Sequence, residues 1–169
     1  LPKIATPTYE LEIPSLKKEI RYRPFLVKEE KILIIAMESE DNKQIANAVK
    51  TVISNCILTK GIKVEELATF DIEYLFLNIR GKSVGETVDV LVTCPDDGET
   101  QVPVSIVLDD IKVQIDKNHS RDIKLDDTLT MRMRYPSMTE FIKNNFGSGE
   151  VTVDDTFDLI CSCIEQVYN

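Results

Sequence analysis

The stretch Gly85-Glu86-Thr87-Val88-Asp89-Val90-Leu91-Val92-Thr93-Cys94-Pro95-Asp96-Asp97-Gly98-Glu99-Thr100-Gln101-Val102-Pro103-Val104-Ser105-Ile106 decides the fold class. Val88, Val90 and Val92 alternate with Thr87, Asp89 and Thr93, a period of two. Cys94 to Glu99 holds Pro, Asp-Asp and Gly, the residues of a tight turn, and Val102, Val104 and Ile106 return with the same period. Alternation, turn and alternation spell an antiparallel β-hairpin. The residues before Gly85 carry a helical period instead. Strands and helices are therefore segregated along the chain, which predicts an α+β fold rather than a doubly wound parallel sheet.

Working back from Gly85, three helices precede the hairpin. Phe70, Tyr74, Leu75, Phe76, Leu77 and Ile79 predict a helix capped by Thr69, acidic in its first turn and ending near Gly81. Its apolar residues cover more than one stripe, so it is either a central packing element or a partner surface. Asp41 and Gln44 have capping-box spacing and open a helix to about Leu58, with Ile45, Val49, Val52, Ile53 and Cys56 on one face. Val27 to Glu38 predicts a helix buried on several faces, with a strand as the alternative over its β-branched run. At the start, Tyr9–Ile13 and Glu19–Arg23 flank Pro14-Ser15-Leu16-Lys17 as a first hairpin, which Pro24 ends.

Working forward, Ile111, Val113 and Ile115 predict a further strand, and Ile123–Leu125 and Leu129–Met133 one or two more. Ser137 and Glu140 form a capping box that starts a helix ending by Gly147. Thr152 caps a last helix whose stripe is Phe157, Ile160, Cys161, Ile164 and Val167. That stripe meets no glycine or proline stop before Asn169, so the native C-terminus is expected to extend beyond it.

The 169 residues, 43% hydrophobic and 29% charged, fit one globular domain. The longest apolar run, Ile32 to Met37, is far short of the ~20 residues of a membrane span, and the first residues lack a signal-peptide core. Four cysteines without a framework point to a reducing, intracellular setting. The net charge is −9, and the excess acid lies after residue 60. An acidic body repels phosphate backbones, which argues against nucleic acid as a partner. Lys17, Lys18, Arg21 and Arg23, interrupted by Glu19, form the one basic cluster, most simply the solvated face of a hairpin.

Catalytic groups do not converge. The single histidine, His119, sits in a polar loop beside Lys117 and Arg121, and no Gly-x-Ser-x-Gly elbow accompanies it. No Gly-rich phosphate loop and no His-Glu-x-x-His motif occurs. The paired carboxylates Asp96-Asp97, Asp109-Asp110, Asp126-Asp127 and Asp154-Asp155 all fall at turns or helix starts, where Asp serves local hydrogen bonding. No residue is assigned a catalytic, cofactor-binding or metal role. Cys94-Pro95-Asp96-Asp97-Gly98 resembles the tip of a zinc ribbon, but Asp97 stands where the second thiolate would be and no second knuckle follows. The expectation is a ribbon-shaped hairpin that needs no metal. Cys56 reads as a core thiol, and the helical reading buries Cys161 and turns Cys163 away.

Three longer stretches carry a resemblance. They are Ile20-Arg21-Tyr22-Arg23-Pro24-Phe25-Leu26-Val27-Lys28-Glu29-Glu30-Lys31, Phe70-Asp71-Ile72-Glu73-Tyr74-Leu75-Phe76-Leu77 and Met131-Arg132-Met133-Arg134-Tyr135-Pro136-Ser137. In this order they resemble the baseplate hub subunit family of T-even-type contractile-tailed bacteriophages, from Pro2 to Val167. The resemblance implies a hub assembly protein without enzymatic activity. Such a protein binds other hub or tail proteins in the host cytoplasm, as a virion component or as a transient, chaperone-like factor. Some members of that family have a fuller Cys-Pro-x-Cys turn, from which Asp97 departs.

The expectations are then one domain over residues 1–169, with residues 85–135 as a β subdomain inserted between helical parts. No cofactor, nucleic acid or membrane is expected. The partner surfaces anticipated are the last helix stripe and the Phe70–Ile79 helix. The competing reading is a zinc-ribbon-like nucleic-acid-binding protein.

Overall fold

A computed structural model describes residues 6–145 and 152–169. The chain opens with an antiparallel hairpin, β1 (Tyr9–Ile13) and β2 (Lys18–Tyr22), paired from Tyr9↔Tyr22 to Ile13↔Lys18. Three helices follow, α1 (Val27–Glu38), α2 (Asn42–Cys56) and α3 (Thr69–Val84). A second hairpin, β3 (Thr87–Thr93) and β4 (Gln101–Val107), forms a two-stranded sheet of its own. The chain closes with β5 (Asp122–Lys124), β6 (Thr130–Met133), α4 (Met138–Asn145), α5 (Val153–Ser162) and β7 (Ile164–Tyr168). Strands β5, β6 and β7 make a three-stranded antiparallel sheet with β6 in the middle. The architecture is α+β, as the segregated periods predict.

The core is built where the first hairpin meets the helices. Ile13, Ile20 and Tyr22 pack with Val52, Ile53 and Cys56 of α2 and with Ile72, Leu75 and Ile79 of α3. The i, i+3, i+7 spacing of the α3 residues places them on one face, which is why that face is the buried one. Two carboxylates are buried with this core. Asp71 accepts hydrogen bonds from the Ser15 amide (3.0 Å) and the Ser15 hydroxyl, which ties the first hairpin's turn to α3. Glu29 accepts from the Leu26 amide at 2.8 Å and from Arg23 at 3.1 Å.

Local rules account for the helix starts. Asp41 caps α2 by accepting from the Lys43 and Gln44 amides, and Gln44 Nε2 donates back to it at 3.0 Å. Ser137 and Glu140 bond reciprocally at the start of α4, as do Thr152 and Asp155 at the start of α5. The expected end of α4 by Gly147 lies outside the described residues.

Several expectations are corrected. The last helix stops at Ser162, and Ile164–Tyr168 is strand β7, paired with β6 from Thr130↔Tyr168 to Met133↔Ile164. Ile164 and Val167 therefore leave the helical stripe. This reverses the two cysteines: Cys163 is buried and Cys161 exposed. Helix α3 runs past Gly81 to Val84, and Ala68 rather than Thr69 is its N-cap. A Cβ on Gly81 would lie 3.5 Å from Leu108 Cδ1, so this glycine marks a close packing contact. The helix ends instead at Gly85, at φ 152°. Ile111, Val113 and Ile115 form no strand but an irregular segment along α3. Within residues 85–135 the strands fall in two sheets, β3–β4 alone and β5–β6 with β7. Helix α1 buries only Glu29 and Ala36 fully, and Val27, Ile34, Ile35 and Met37 are exposed.

Candidate functional site

The most unusual surface belongs to the β3–β4 ribbon. Its root is anchored: Leu108 is buried against Gly81, and Lys82 Nζ bridges Glu86 (2.6 Å) and Asp109 (2.9 Å). Beyond the root every residue of β4 is exposed. Val88↔Ile106, Val90↔Val104 and Val92↔Val102 are directly opposed, so six β-branched side chains share one face. Val88 and Val90 are half-buried, while Val92 and Val102 are 47% and 46% exposed. A sheet of two strands with one aliphatic face is marginal in water unless something packs on it.

The tip is held by hydrogen bonds. Cys94 N–H donates to Thr100 O (2.7 Å) and Gly98 N–H to Cys94 O (3.0 Å), with Gly98 at φ 71°. Asp97 accepts from the Glu99 and Thr100 amides, both at 3.0 Å, and from the Thr100 hydroxyl. The Thr100 hydroxyl and then these amides hold the Asp97 carboxyl down at about 2. Asp97 thus organises the turn by hydrogen bonding where a zinc ribbon would use a thiolate. Among the described residues no group of three or more His, Cys, Asp or Glu side chains could hold a metal ion.

The stretches that carry the resemblance serve as latches. Arg23 donates to Glu29 (3.1 Å), to Asn55 O and Pro24 O (both 2.9 Å) and to Cys56 Sγ, tying the first hairpin to α1 and the end of α2. Burial raises the Glu29 carboxyl, but donation from Arg23, Leu26 and Lys28 outweighs it and leaves the group below its ordinary value. Burial pushes the Cys56 thiol up to about 11, as befits an inert core thiol. Arg134 donates to both Glu140 oxygens and to Ser162 O (2.7 Å), fastening α5 to the start of α4. Those Arg134 bonds hold the Glu140 carboxyl down to about 2. Arg132 grips Asp122 of β5 through two bonds of 2.7 and 3.0 Å.

These latches tie the hairpins, helices and sheet of the fold to one another. Residues 6–169 match the model of the family described as T4 bacteriophage base plate protein. The chain belongs to that family. The baseplate family is a structural one, and this member has a structural role in the phage tail, in contact with other baseplate or tail proteins. No curated protein and no solved structure matches the chain. No helix among the described residues is long and apolar enough to cross a membrane.

The surfaces anticipated from this baseplate chain's sequence fare differently. The Phe70–Ile79 helix is core on its Ile72, Leu75 and Ile79 face, while Phe70, Tyr74 and Leu77 on the other side are half-buried beside Ile111 and Val113. Phe70 meets Tyr135 edge-on at 4.8 Å between ring centroids, and Tyr135 bonds His119 Nε2 at 2.8 Å. His119 therefore caps an aromatic stack, with its ring 5.6 Å from that of Tyr135. On α5, Val153, Phe157 and Ile160 are exposed, so the helical part of the last stripe is open. The hairpin's aliphatic face was legible as a pattern, but its exposure was not: alternation is the same whether the apolar face meets a core or water.

Proposed function

We propose that this baseplate protein acts in assembly of the tail hub, by binding other hub or tail proteins and without catalysing a reaction. The observation that carries this reading is the β3–β4 ribbon, whose face of six β-branched side chains is half-buried at Val88 and Val90 and exposed at Val92, Val102, Val104 and Ile106. Association through such a face removes apolar surface from water at roughly 25 cal/mol per Å². Exposed Phe157 and Ile160 on α5 supply a second apolar contact. The binding acts in the host cytoplasm during assembly. Residues 85–135 serve as an inserted unit that presents the ribbon. Limited proteolysis tests this last point and should cut first near residues 82–86 or 116–121; first cuts inside Val27–Arg80 would contradict it.

The zinc-ribbon-like nucleic-acid reading draws no support from the geometry. Asp97 is committed to the turn, and residues 86–110 contain no basic side chain to meet a phosphate. Recovery of the tagged chain from infected cells, followed by mass spectrometry of hub intermediates and of purified tails, tests the proposal. Hub or tail proteins should accompany the chain. Recovery without any tail component would overturn the reading, and presence in purified tails separates a permanent part from a transient factor.

A further inference from the structure

The two edges of the β3–β4 ribbon differ. Cys94 N–H bonds Thr100 O and Leu108 N–H bonds Glu86 O, so the inward, hydrogen-bonded pairs are the even-numbered ones. The amides of odd-numbered residues then point outward on both strands. On β4 one of these positions is Pro103, which has no N–H, and an outward proline is a standard block to further pairing. Strand β3 has no such block. Thr87, Asp89, Leu91 and Thr93 turn their N–H groups to an edge that pairs with no strand among the described residues.

Charge selects the occupant. Residues 86–110 contain no Lys, Arg or His, and Asp89, Asp96 and Glu99 are exposed on or beside this edge. We infer that β3 accepts a third, antiparallel or parallel strand from a partner protein, a basic segment alternating with aliphatic residues. Its aliphatic side chains extend the Val88, Val90, Val92 face, and its basic ones meet Asp89 and the acidic tip. Backbone hydrogen bonds supply affinity and the alternate side chains supply specificity. The inference rests on the protein-binding reading above and names the edge and the chemistry of its partner.

The probes are seven-residue peptides alternating Lys with Val or Glu with Val, added to the intact chain while amide exchange is followed by NMR. The Lys–Val peptide should slow exchange at Asp89, Leu91 and Thr93. Leu91→Pro removes one outward donor and should weaken binding about tenfold or more, while Leu91→Ala, which keeps the donor, should bind like the parent. Continued protection of the inward Val90 and Val92 amides in Leu91→Pro shows that the hairpin is folded. Equal binding of the Glu–Val peptide, no protection of β3, or unimpaired binding by folded Leu91→Pro would overturn the inference. So would protection of β3 amides that rises with protein concentration alone, which makes the occupant a second copy. If the peptides fail while the chain is still recovered with hub proteins, strand addition is wrong and the baseplate role stands.

Discussion

Arg23→Met should be the most damaging single change outside the aliphatic core. Glu29 is fully buried and the Arg23 side chain is only 12% exposed, so the mutation leaves a carboxylate buried without its principal partner. Removing one member of such a pair costs about 3–5 kcal/mol. Lys28 remains 3.3 Å from Glu29, but it is 67% exposed and compensates only weakly. The carbonyls of Asn55 and Pro24 also lose a charged donor. A loss of about 3 kcal/mol is therefore expected, or roughly 6–12 °C in Tm for a chain of this length. The protein has no tryptophan, so urea and thermal unfolding are best followed by far-UV circular dichroism. A double-mutant cycle with Glu29→Gln should show more than about 1 kcal/mol of coupling. An Arg23→Met loss below about 1 kcal/mol, or additive single effects, would refute the latch.

Other outcomes follow from the same geometry. Cys94→Ser, or dialysis against a chelator, should leave Tm within about two degrees, because surface changes usually stay within ~0.5 kcal/mol; a collapse would reveal a metal at the tip. Asp97→Ala should speed amide exchange at Glu99 and Thr100, which lose their acceptor, while the helical core is unaffected. Val90→Asp should leave the core folded and lower Tm by only a few degrees, since Val90 is half-buried on a ribbon outside the core; global unfolding would show that the ribbon supports the core. Glu140 has a lowered pKa, so its contribution is fully present above its ordinary value near 4.5 and is lost as pH falls toward about 2. Glu140→Gln should flatten the stability profile across that window, and an unchanged profile would contradict the Arg134 latch.

What was legible in the sequence was local. The capping pairs Asp41/Gln44 and Ser137/Glu140 and the hairpin turn at Cys94–Glu99 are set by groups two to four residues apart, and the structure forms each of them. The misreadings are tertiary. Phe157, Ile160 and Ile164 fit a helical spacing, yet Ile164-Glu165-Gln166-Val167-Tyr168 pairs with β6, and its Ile, Val and Tyr content was the available signal. Gly81 looked like a stop because only the contact with Leu108 explains it inside a helix. Ile111, Val113 and Ile115 alternate like a strand but lie irregularly along α3, beside Phe70 and Tyr74. The ribbon's aliphatic face was visible residue by residue, whereas its lack of cover depends on where the rest of the chain packs.

Binding through the acidic, aliphatic ribbon, as proposed for this baseplate protein, sets ribbon carboxylates against basic side chains of a partner. Carbodiimide cross-linking of isolated hub intermediates and tails, read by mass spectrometry, tests it most directly, because it joins carboxylates to lysines in contact. Bonds are expected from Asp89, Asp96 or Glu99 to lysines of another tail protein, and their loss in Leu91→Pro. Intermediates and tails that contain the chain, with cross-links elsewhere on its surface and none from the ribbon, would contradict it.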